Sequence, residues 1–136
     1  MIIKPVIVGW LHTNCYILGD EQTKTCAVID PGQKADQILA AVEELGYAVN
    51  MILLTHGHYD HVMAVPQMVK ATGAKVYIHK KDQWLLSCDD VMRYGPRAEG
   101  YTVPHIDGFL EDGMTLQLGS LTIQVLHTPG HTAGCC

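Results

Sequence analysis

The chain has few cationic side chains and no long apolar run, and each absence excludes a class of protein. Nine Lys and Arg stand against fourteen Asp and Glu among 136 residues, which gives a formal net charge of −5 at pH 7. Phosphate binding requires a basic surface, so nucleic acid is not an expected partner. No apolar run approaches the roughly 18 residues that span a bilayer, so no membrane contact is expected either.

Signals of export and of a disulfide framework are also missing. The first five residues contain no basic segment ahead of an apolar stretch, which a signal peptide requires. The five cysteines are odd in number and lack C-x-x-C spacing, which is typical of a reducing compartment. We therefore expect a cytoplasmic protein. A hydrophobic content of 48% and a charged content of 17% favour a single globular domain over residues 1–136.

Local patterns in the first third predict a β-meander followed by a helix. Strands are expected over Ile2–Val8, 15–18 and 26–29. Pro5 favours an edge position for the first strand, because proline cannot donate to a sheet ladder. Apolar residues recur at helical spacing over Ala35–Leu45, where a helix is expected, and Gly46 stands at the position of its C-cap.

The remaining elements alternate between strands and helices. A buried strand is expected at 51–54, and a short helical turn from Asp60 leads into a main helix that begins near Pro66. A strand at 76–78, a short helix at 80–86 and a hairpin of strands 114–118 and 121–126 follow. Residues 87–110 show no periodicity, and we expect a loop on the substrate side there. This order predicts a mixed sheet with helices packed on one face.

Four side chains directly after the strand at 51–54 are suited to metal binding. His56, His58, Asp60 and His61 place three imidazoles and one carboxylate within six positions of a glycine-containing turn. Imidazole and carboxylate together suit a borderline divalent ion such as Zn²⁺. A solvated, histidine-rich turn is the alternative, and it is less favoured because few such turns need this combination.

The motif H-x-H-x-D-H at 56–61 resembles the metal-binding signature of the metallo-β-lactamase-fold hydrolases. N-C-Y at 14–16, V-I-D-P-G at 28–32 and H-T-P-G-H-T-x-G at 127–134 are similar to segments of the glyoxalase II-like branch of that superfamily. The resemblance covers the whole chain. It implies the N-terminal portion of an αβ/βα sandwich, in which a second half covers the free face of the sheet.

The resemblance also implies two metal sites. His56, His58 and His131 would bind one ion and leave a fourth position to water, as in catalytic zinc sites. Asp60 and His61 would begin a second site, and Asp60 would also orient the nucleophile. The ligand types suit Zn²⁺ without excluding Fe or Mn.

Other polar residues near these motifs receive different interpretations. Asp30 is expected either to accept a hydrogen bond from a ligating imidazole or to form the turn after its strand. His127 is expected to be hydrogen-bonded at a strand end and not to bind metal. His12 and His105 are expected on the surface. His79 stands at a strand end on the expected active-site edge, where contact with substrate is the less favoured alternative to a surface position.

The implied activity is hydrolysis of a small-molecule thioester, such as a hydroxyacyl-glutathione, by metal-bound hydroxide. An Fe-dependent persulfide dioxygenase is the enzymatic alternative, and a catalytically inactive, metal-binding half-domain is the non-enzymatic one. An exported β-lactamase is not favoured without a signal peptide.

The family pattern continues past residue 136 with a further strand, an Asp that bridges the two metals and a last His. We therefore expect a weaker second site, with two protein ligands against three in the first. We also expect two copies of the chain to cover each other's exposed sheet as a homodimer.

Overall fold

A six-stranded mixed sheet organises the computed structural model, which describes residues 1–88 and 101–136. Its strands lie in the order in which the chain forms them, and they are β1 Ile2–Val8, β2 Thr13–Asp20, β3 Thr25–Ile29, β4 Ala48–Leu53, β5 Lys75–His79 and β6 Gly108–Leu110. The first two pairings are antiparallel, and those of β3 with β4, β4 with β5 and β5 with β6 are parallel. As predicted, β1 is an edge strand, where the missing N–H of Pro5 is tolerated.

The helices pack on one face of this sheet, as the sequence predicts. They are α1 Ala35–Leu45, α2 Tyr59–Val62, α3 Val65–Thr72 and a 3₁₀ helix over Lys80–Ser87. Gly46 ends α1 in the left-handed region at φ 71°, where a glycine is favoured. Pro66 lies in the first turn of α3, where its missing N–H costs little. Within residues 1–88 and 101–136, none of the helices has the length and apolar character of a membrane span.

Apolar side chains from both layers form the main core. Ile38 of α1 and Met68 of α3 are fully buried against Ile17, Val28 and Ile52 of the sheet. Burying such side chains is the dominant favourable term in folding, at roughly 1.5–3 kcal/mol for each one. The helical spacing seen in the sequence is therefore the pattern of contact with the sheet.

A two-stranded hairpin covers part of the opposite face. It consists of β7 Thr115–Leu118 and β8 Leu121–Gln124, joined by the predicted turn at Gly119 and Ser120. Leu116 and Leu118 of the hairpin pack with Met51 and Leu53 of β4, and this second cluster is separate from the helix-side core. The hairpin thus supplies part of the cover that the sheet requires.

The prediction of a continuous loop over 87–110 is wrong at its C-terminal end. Gly108–Leu110 form the parallel edge strand β6, which is too short to show an alternating pattern in the sequence. Tyr101 is buried and donates a hydrogen bond to the Leu86 carbonyl oxygen at 2.8 Å. The predicted substrate-side loop otherwise falls mainly on 89–100, which lie outside the described residues.

The buried carboxylate of Asp20 joins the hairpin to the main sheet. One oxygen accepts from the Ser120 backbone N–H at 2.7 Å and from the Thr23 hydroxyl at 2.7 Å, and the other accepts from the Ser120 hydroxyl and the Gln22 N–H. The Ser120 N–H lowers the pKa of Asp20 most, burial opposes it, and the bonds from Thr23, the Ser120 hydroxyl and Gln22 lower it further. The net pKa is well below the usual range for Asp.

Asp20→Asn is therefore expected to destabilise the fold at pH 7, because the ionised carboxylate is the form that these donors stabilise. A lowered folded-state pKa gives stability above the unfolded value of about 3.9, and this stability is lost as the pH falls further. Thermal unfolding from pH 7 to pH 3 should show the gap in Tm between wild type and variant narrowing below about pH 4.

Glu44→Gln is the matched control. Glu44 forms an exposed ion pair with Lys4 at 2.9 Å, and exposed pairs contribute about 0–1 kcal/mol. The Tm of the control should be close to that of wild type at every pH from 7 to 3. A gap between wild type and Asp20→Asn that stays constant with pH would contradict the assigned role of the Asp20 charge.

Candidate metal centre

The predicted ligands meet at one edge of the main sheet because of how the strands run. Strands β3 and β4 are parallel, so the turns that follow them lie side by side, and Asp30 donates its N–H to the Leu53 carbonyl oxygen at 3.1 Å. Asp30 follows β3, while His56 and its neighbours follow β4. The chain after β8 returns to this edge, where the Cys136 N–H donates to the Thr55 carbonyl oxygen at 3.0 Å.

His56, His58 and His131 converge as one group. Their nitrogen ligand atoms lie within 4.8 Å of one another. The ring centroid of His56 is 4.7 Å from that of His58 and 4.9 Å from that of His131, and the His58 and His131 centroids are 4.6 Å apart. Three imidazoles in one cluster are the donor set of a catalytic zinc site. Residues 75 positions apart in sequence therefore share one location, as the resemblance implied.

The protonation of His56 follows from its hydrogen bonds. The Thr55 hydroxyl donates to Asp30 Oδ2 at 2.6 Å, because an ionised carboxylate only accepts. Its oxygen, 3.0 Å from His56 Nδ1, must then accept the proton of that nitrogen. The lone pair of the neutral ring is left on Nε2, which is buried and has no hydrogen-bond partner among the described residues.

An unpartnered buried nitrogen is costly, so a group that binds this one would stabilise the fold. Leaving a polar group buried and unbonded costs roughly 1–3 kcal/mol. A divalent ion bound to Nε2 would remove that cost, and the Thr55 contact to Nδ1 is the kind of partner that orients ligating histidines. The residues present thus fit a metal ion by their chemistry.

The electrostatics of the cluster also keep two rings neutral. Burial, and then the positive charge of His61, lower the pKa of His56 to about 4. Burial and the neighbouring His131 lower the pKa of His58. Neutral imidazole is the form that binds metal, so both rings are ready to bind at neutral pH.

A second group lies beside the first. Ligand atoms of Asp30, His56 and His61 are within 4.8 Å of one another. His61 Nδ1 is 3.0 Å from Asp30 Oδ2, and His61 Nε2 is 3.4 Å from Asp60 Oδ2. Burial lowers the pKa of His61, but the hydrogen bond and charge of Asp30 and the charge of Asp60 outweigh it and raise the pKa.

Asp30 has the contact expected of a carboxylate that orients an imidazole. It is buried, at 4% exposure, and accepts from the Thr55 N–H at 2.7 Å as well as facing His61. Its φ of 52° also places it in the left-handed turn conformation that Asp tolerates. Asp30 thus forms the turn after β3 and also contacts an imidazole, and its role toward a metal ligand stays a prediction.

The other histidines lie apart from this cluster. His12 and His105 are exposed, as predicted. The His127 ring nitrogen Nε2 contacts the Ala133 carbonyl oxygen at 3.0 Å, in agreement with a hydrogen-bonded His at a strand end. His79 stacks on His127 with centroids 4.2 Å apart, a contact that the sequence did not predict.

Sequence reasoning missed three residues that support the site. Thr13 donates to Asp60 Oδ2 at 2.9 Å, Thr55 fixes the His56 ring, and the buried Asp82 contacts both ligand turns. Thr55 borders the first motif and was the most accessible to prediction. Nothing in the local pattern distinguishes Asp82 from an acidic residue on a helix surface.

Comparison with known proteins agrees with this geometry. Residues 8–136 match the family model described as the metallo-beta-lactamase superfamily. The hydroxyacylglutathione hydrolase GloC of Haemophilus influenzae is 34% identical over 141 residues, which cover 98% of this chain and 64% of GloC. The chain thus spans just under two thirds of that relative.

Two solved structures share the fold. The BLEG-1 B3 metallo-beta-lactamase aligns with a TM-score of 0.85 and 30% identity, over 98% of this chain and 65% of BLEG-1. TTHA1623, solved in a di-iron-bound form, aligns with a TM-score of 0.79 and 34% identity, over 97% of this chain and 64% of its own. The convergent histidines, the mixed sheet with helices on one face and the family match lead to one conclusion: the chain belongs to the metallo-beta-lactamase superfamily.

Proposed function

We propose that the chain carries the metal-binding half of a hydrolase that cleaves small thioesters of the hydroxyacyl-glutathione type. The observation that carries this proposal is the buried lone pair on His56 Nε2, beside the rings of His58 and His131. A divalent ion held there would supply Lewis-acid activation of water and of a carbonyl oxygen. The relative GloC, named a hydroxyacylglutathione hydrolase, supports the choice of a thioester.

The chain's own residues would position the reactants. His56, His58 and His131 would hold the first ion. Asp60 would orient the attacking water, since its carboxylate is fixed by the Thr13 hydroxyl and lies next to His61. Cleavage of a thioester releases a thiolate, which needs no strong acid to leave. The demands on the protein are thus orientation and charge stabilisation, which fixed polar groups provide well.

A small groove beside Asp60 is the proposed substrate position. It is a shallow surface depression lined by Val8, Gly9, Trp10, Leu11, Thr13, Gln33 and Asp60. The Trp10 side chain is 64% exposed, although an indole is favoured in contact with apolar atoms. We assign it the role of covering the acyl or thiol portion of a bound thioester.

Fe-dependent persulfide oxidation is the second candidate. It needs one ion, and the first histidine group supplies three donors, whereas the second group shares His56 with it. The di-iron form of TTHA1623 shows that a structure with this fold holds iron. We propose Zn²⁺ for this chain, because three imidazoles and an open position are its common catalytic set.

Metal binding tests the ligand assignment. His58→Ala removes one of three donors, so we expect Zn²⁺ affinity to fall by more than about 100-fold, beyond the 10–100-fold typical of changes around the ligands. Competition with a chromophoric chelator measures the affinity, and elemental analysis gives the ion and its stoichiometry. His105→Ala, an exposed histidine, is the control and should bind as wild type. Equal affinity in both variants would remove His58 from the site.

Catalysis is tested with S-lactoylglutathione. Wild type should hydrolyse it, and His58→Ala should lose kcat/KM by at least about 100-fold because the activating ion is lost. His105→Ala should retain the wild-type rate. Identical rates in wild type and His58→Ala would rule out the enzyme and leave the inactive half-domain.

Trp10→Ala tests the substrate groove. Loss of an apolar contact that is equal in ground and transition states should raise KM several-fold and leave kcat unchanged, at a cost of roughly 1 kcal/mol in binding. Trp84→Ala is a close control, because Trp84 has the same 64% exposure and is absent from the groove lining. If both variants behave alike, Trp10 has no special contact with substrate.

A further inference from the structure

Asp82 lies outside both histidine motifs, yet its carboxylate contacts both. It is 1% exposed and belongs to the 3₁₀ helix Lys80–Ser87. Oδ2 accepts from the Gly57 N–H at 3.2 Å and from the Thr132 hydroxyl at 2.6 Å, and Oδ1 accepts from the Gly134 N–H at 2.7 Å. Gly57 separates His56 from His58, and Thr132 follows His131. One carboxylate therefore joins the two turns that carry the first ligand group.

A glycine in each of the two turns allows the turn to lie this close to the 3₁₀ helix. A Cβ placed on Gly134 would lie 2.6 Å from Asp82 Oδ1 and 2.7 Å from its Cγ. A Cβ on Gly57 would lie 2.7 Å from the Leu85 Cβ and 2.9 Å from the Asp82 carbonyl oxygen. Real Cβ atoms do not come so close, so any larger residue would push each turn away from the 3₁₀ helix. Both motif glycines are thus explained by packing against the segment that presents Asp82.

The energetics of burial make this contact strong. A buried carboxylate is retained only where hydrogen bonds replace its lost hydration. Asp82 has three donors, and bonds from neutral donors to a charged acceptor are about twice as strong as neutral ones. Removing the carboxylate would leave the Gly57 and Gly134 N–H groups without this acceptor, and unsatisfied buried donors are costly. All three donors can bond to Asp82 at once only when the two turns lie at their native distance from each other.

We propose that Asp82 is a positioning residue that holds the His131 turn against the His56 and His58 turn, so that three imidazoles converge before any ion binds. This inference rests on the metal centre proposed above. His131 is exposed, so the position of its ring follows from the backbone of its turn. The Asp82 bond to the Gly134 N–H fixes that backbone three residues past His131, and the bond to the Thr132 hydroxyl holds the side chain that follows His131.

A second hydrogen bond between the two segments limits the effect expected from the loss of Asp82. The Cys136 N–H also ties the second turn to the Thr55 carbonyl oxygen at 3.0 Å. Loss of Asp82 should therefore loosen the ligand group without dispersing it. The change in Zn²⁺ affinity should be about 10–100-fold, the size seen for residues that orient ligands, and smaller than that for His58→Ala.

Zn²⁺ affinity and the Co²⁺ absorption spectrum of the 136-residue chain test the proposal. Asp82→Asn and Thr132→Val should both weaken Zn²⁺ binding, and the visible bands of bound Co²⁺ should change in position or intensity as His131 moves. Thr132→Ser keeps the hydroxyl and should have the Zn²⁺ affinity and the Co²⁺ spectrum of wild type. Thr132→Val replaces the hydroxyl by a methyl group of similar shape and so removes one hydrogen bond to Asp82. The Zn²⁺ affinity of this variant therefore tests the proposal even if Asp82→Asn does not fold.

Asp112→Asn is the matched control. Its carboxylate accepts a hydrogen bond from the His127 backbone N–H at 2.9 Å, near the second turn, and within the described part of the chain it makes no hydrogen bond to the first turn. The control should bind Zn²⁺ as wild type. Unchanged Zn²⁺ affinity and Co²⁺ spectra in the Asp82 and Thr132 variants would overturn the proposal, as would an equal loss in Asp112→Asn.

The two proposals fail in distinguishable ways. If wild type binds no Zn²⁺, both the metal centre and the role of Asp82 are wrong. If wild type binds Zn²⁺ but does not hydrolyse S-lactoylglutathione, the hydrolase proposal fails, while the affinity and spectra of the variants still decide the role of Asp82.

Discussion

Buried carboxylates that must be hydrogen-bonded determine how the segments of this chain come together. Among the described residues, Asp20, Asp30 and Asp82 are each less than 5% exposed. An ionised carboxylate at such burial requires donors, and each of these finds them on segments distant in sequence. Asp20 joins the hairpin to the sheet, Asp30 joins the ends of β3 and β4, and Asp82 joins the two histidine turns. Apolar packing forms the layers, and these carboxylates fix how the turns at their edges meet.

This division explains how much could be predicted from the sequence. Helix α1 and its end at Gly46 are local features, set by apolar spacing and by a left-handed glycine, so the pattern alone predicted them. The separation of α2 from α3 followed from Pro66 in the same way. Strand β6 was missed because three residues at a sheet edge owe their conformation to the neighbouring strand β5.

The residues of the candidate site also fall into those that the local sequence predicts and those that depend on the fold. His56, His58, Asp60 and His61 stand together in one motif, and their chemistry is visible from their spacing. The place of His131 came from family resemblance, since no local rule relates residues 75 positions apart. Asp82 could not be found from sequence, because its importance lies in three donors that only the folded chain brings to it. The Asp30 contact to His61 likewise depends on the parallel pairing of β3 and β4.

Asp30 also links the two ligand groups through hydrogen bonds. Its Oδ2 accepts from the Thr55 hydroxyl, which in turn accepts from His56 Nδ1, so the negative charge selects the tautomer that leaves His56 Nε2 free. The same oxygen faces His61 Nδ1 at 3.0 Å, which directs the other nitrogen of that ring toward Asp60. One carboxylate thus orients a histidine of the first group through Thr55 and a histidine of the second group directly. Because both contacts end on Asp30 Oδ2, a change in the charge of this carboxylate would alter the tautomer of His56 and the orientation of the His61 ring together.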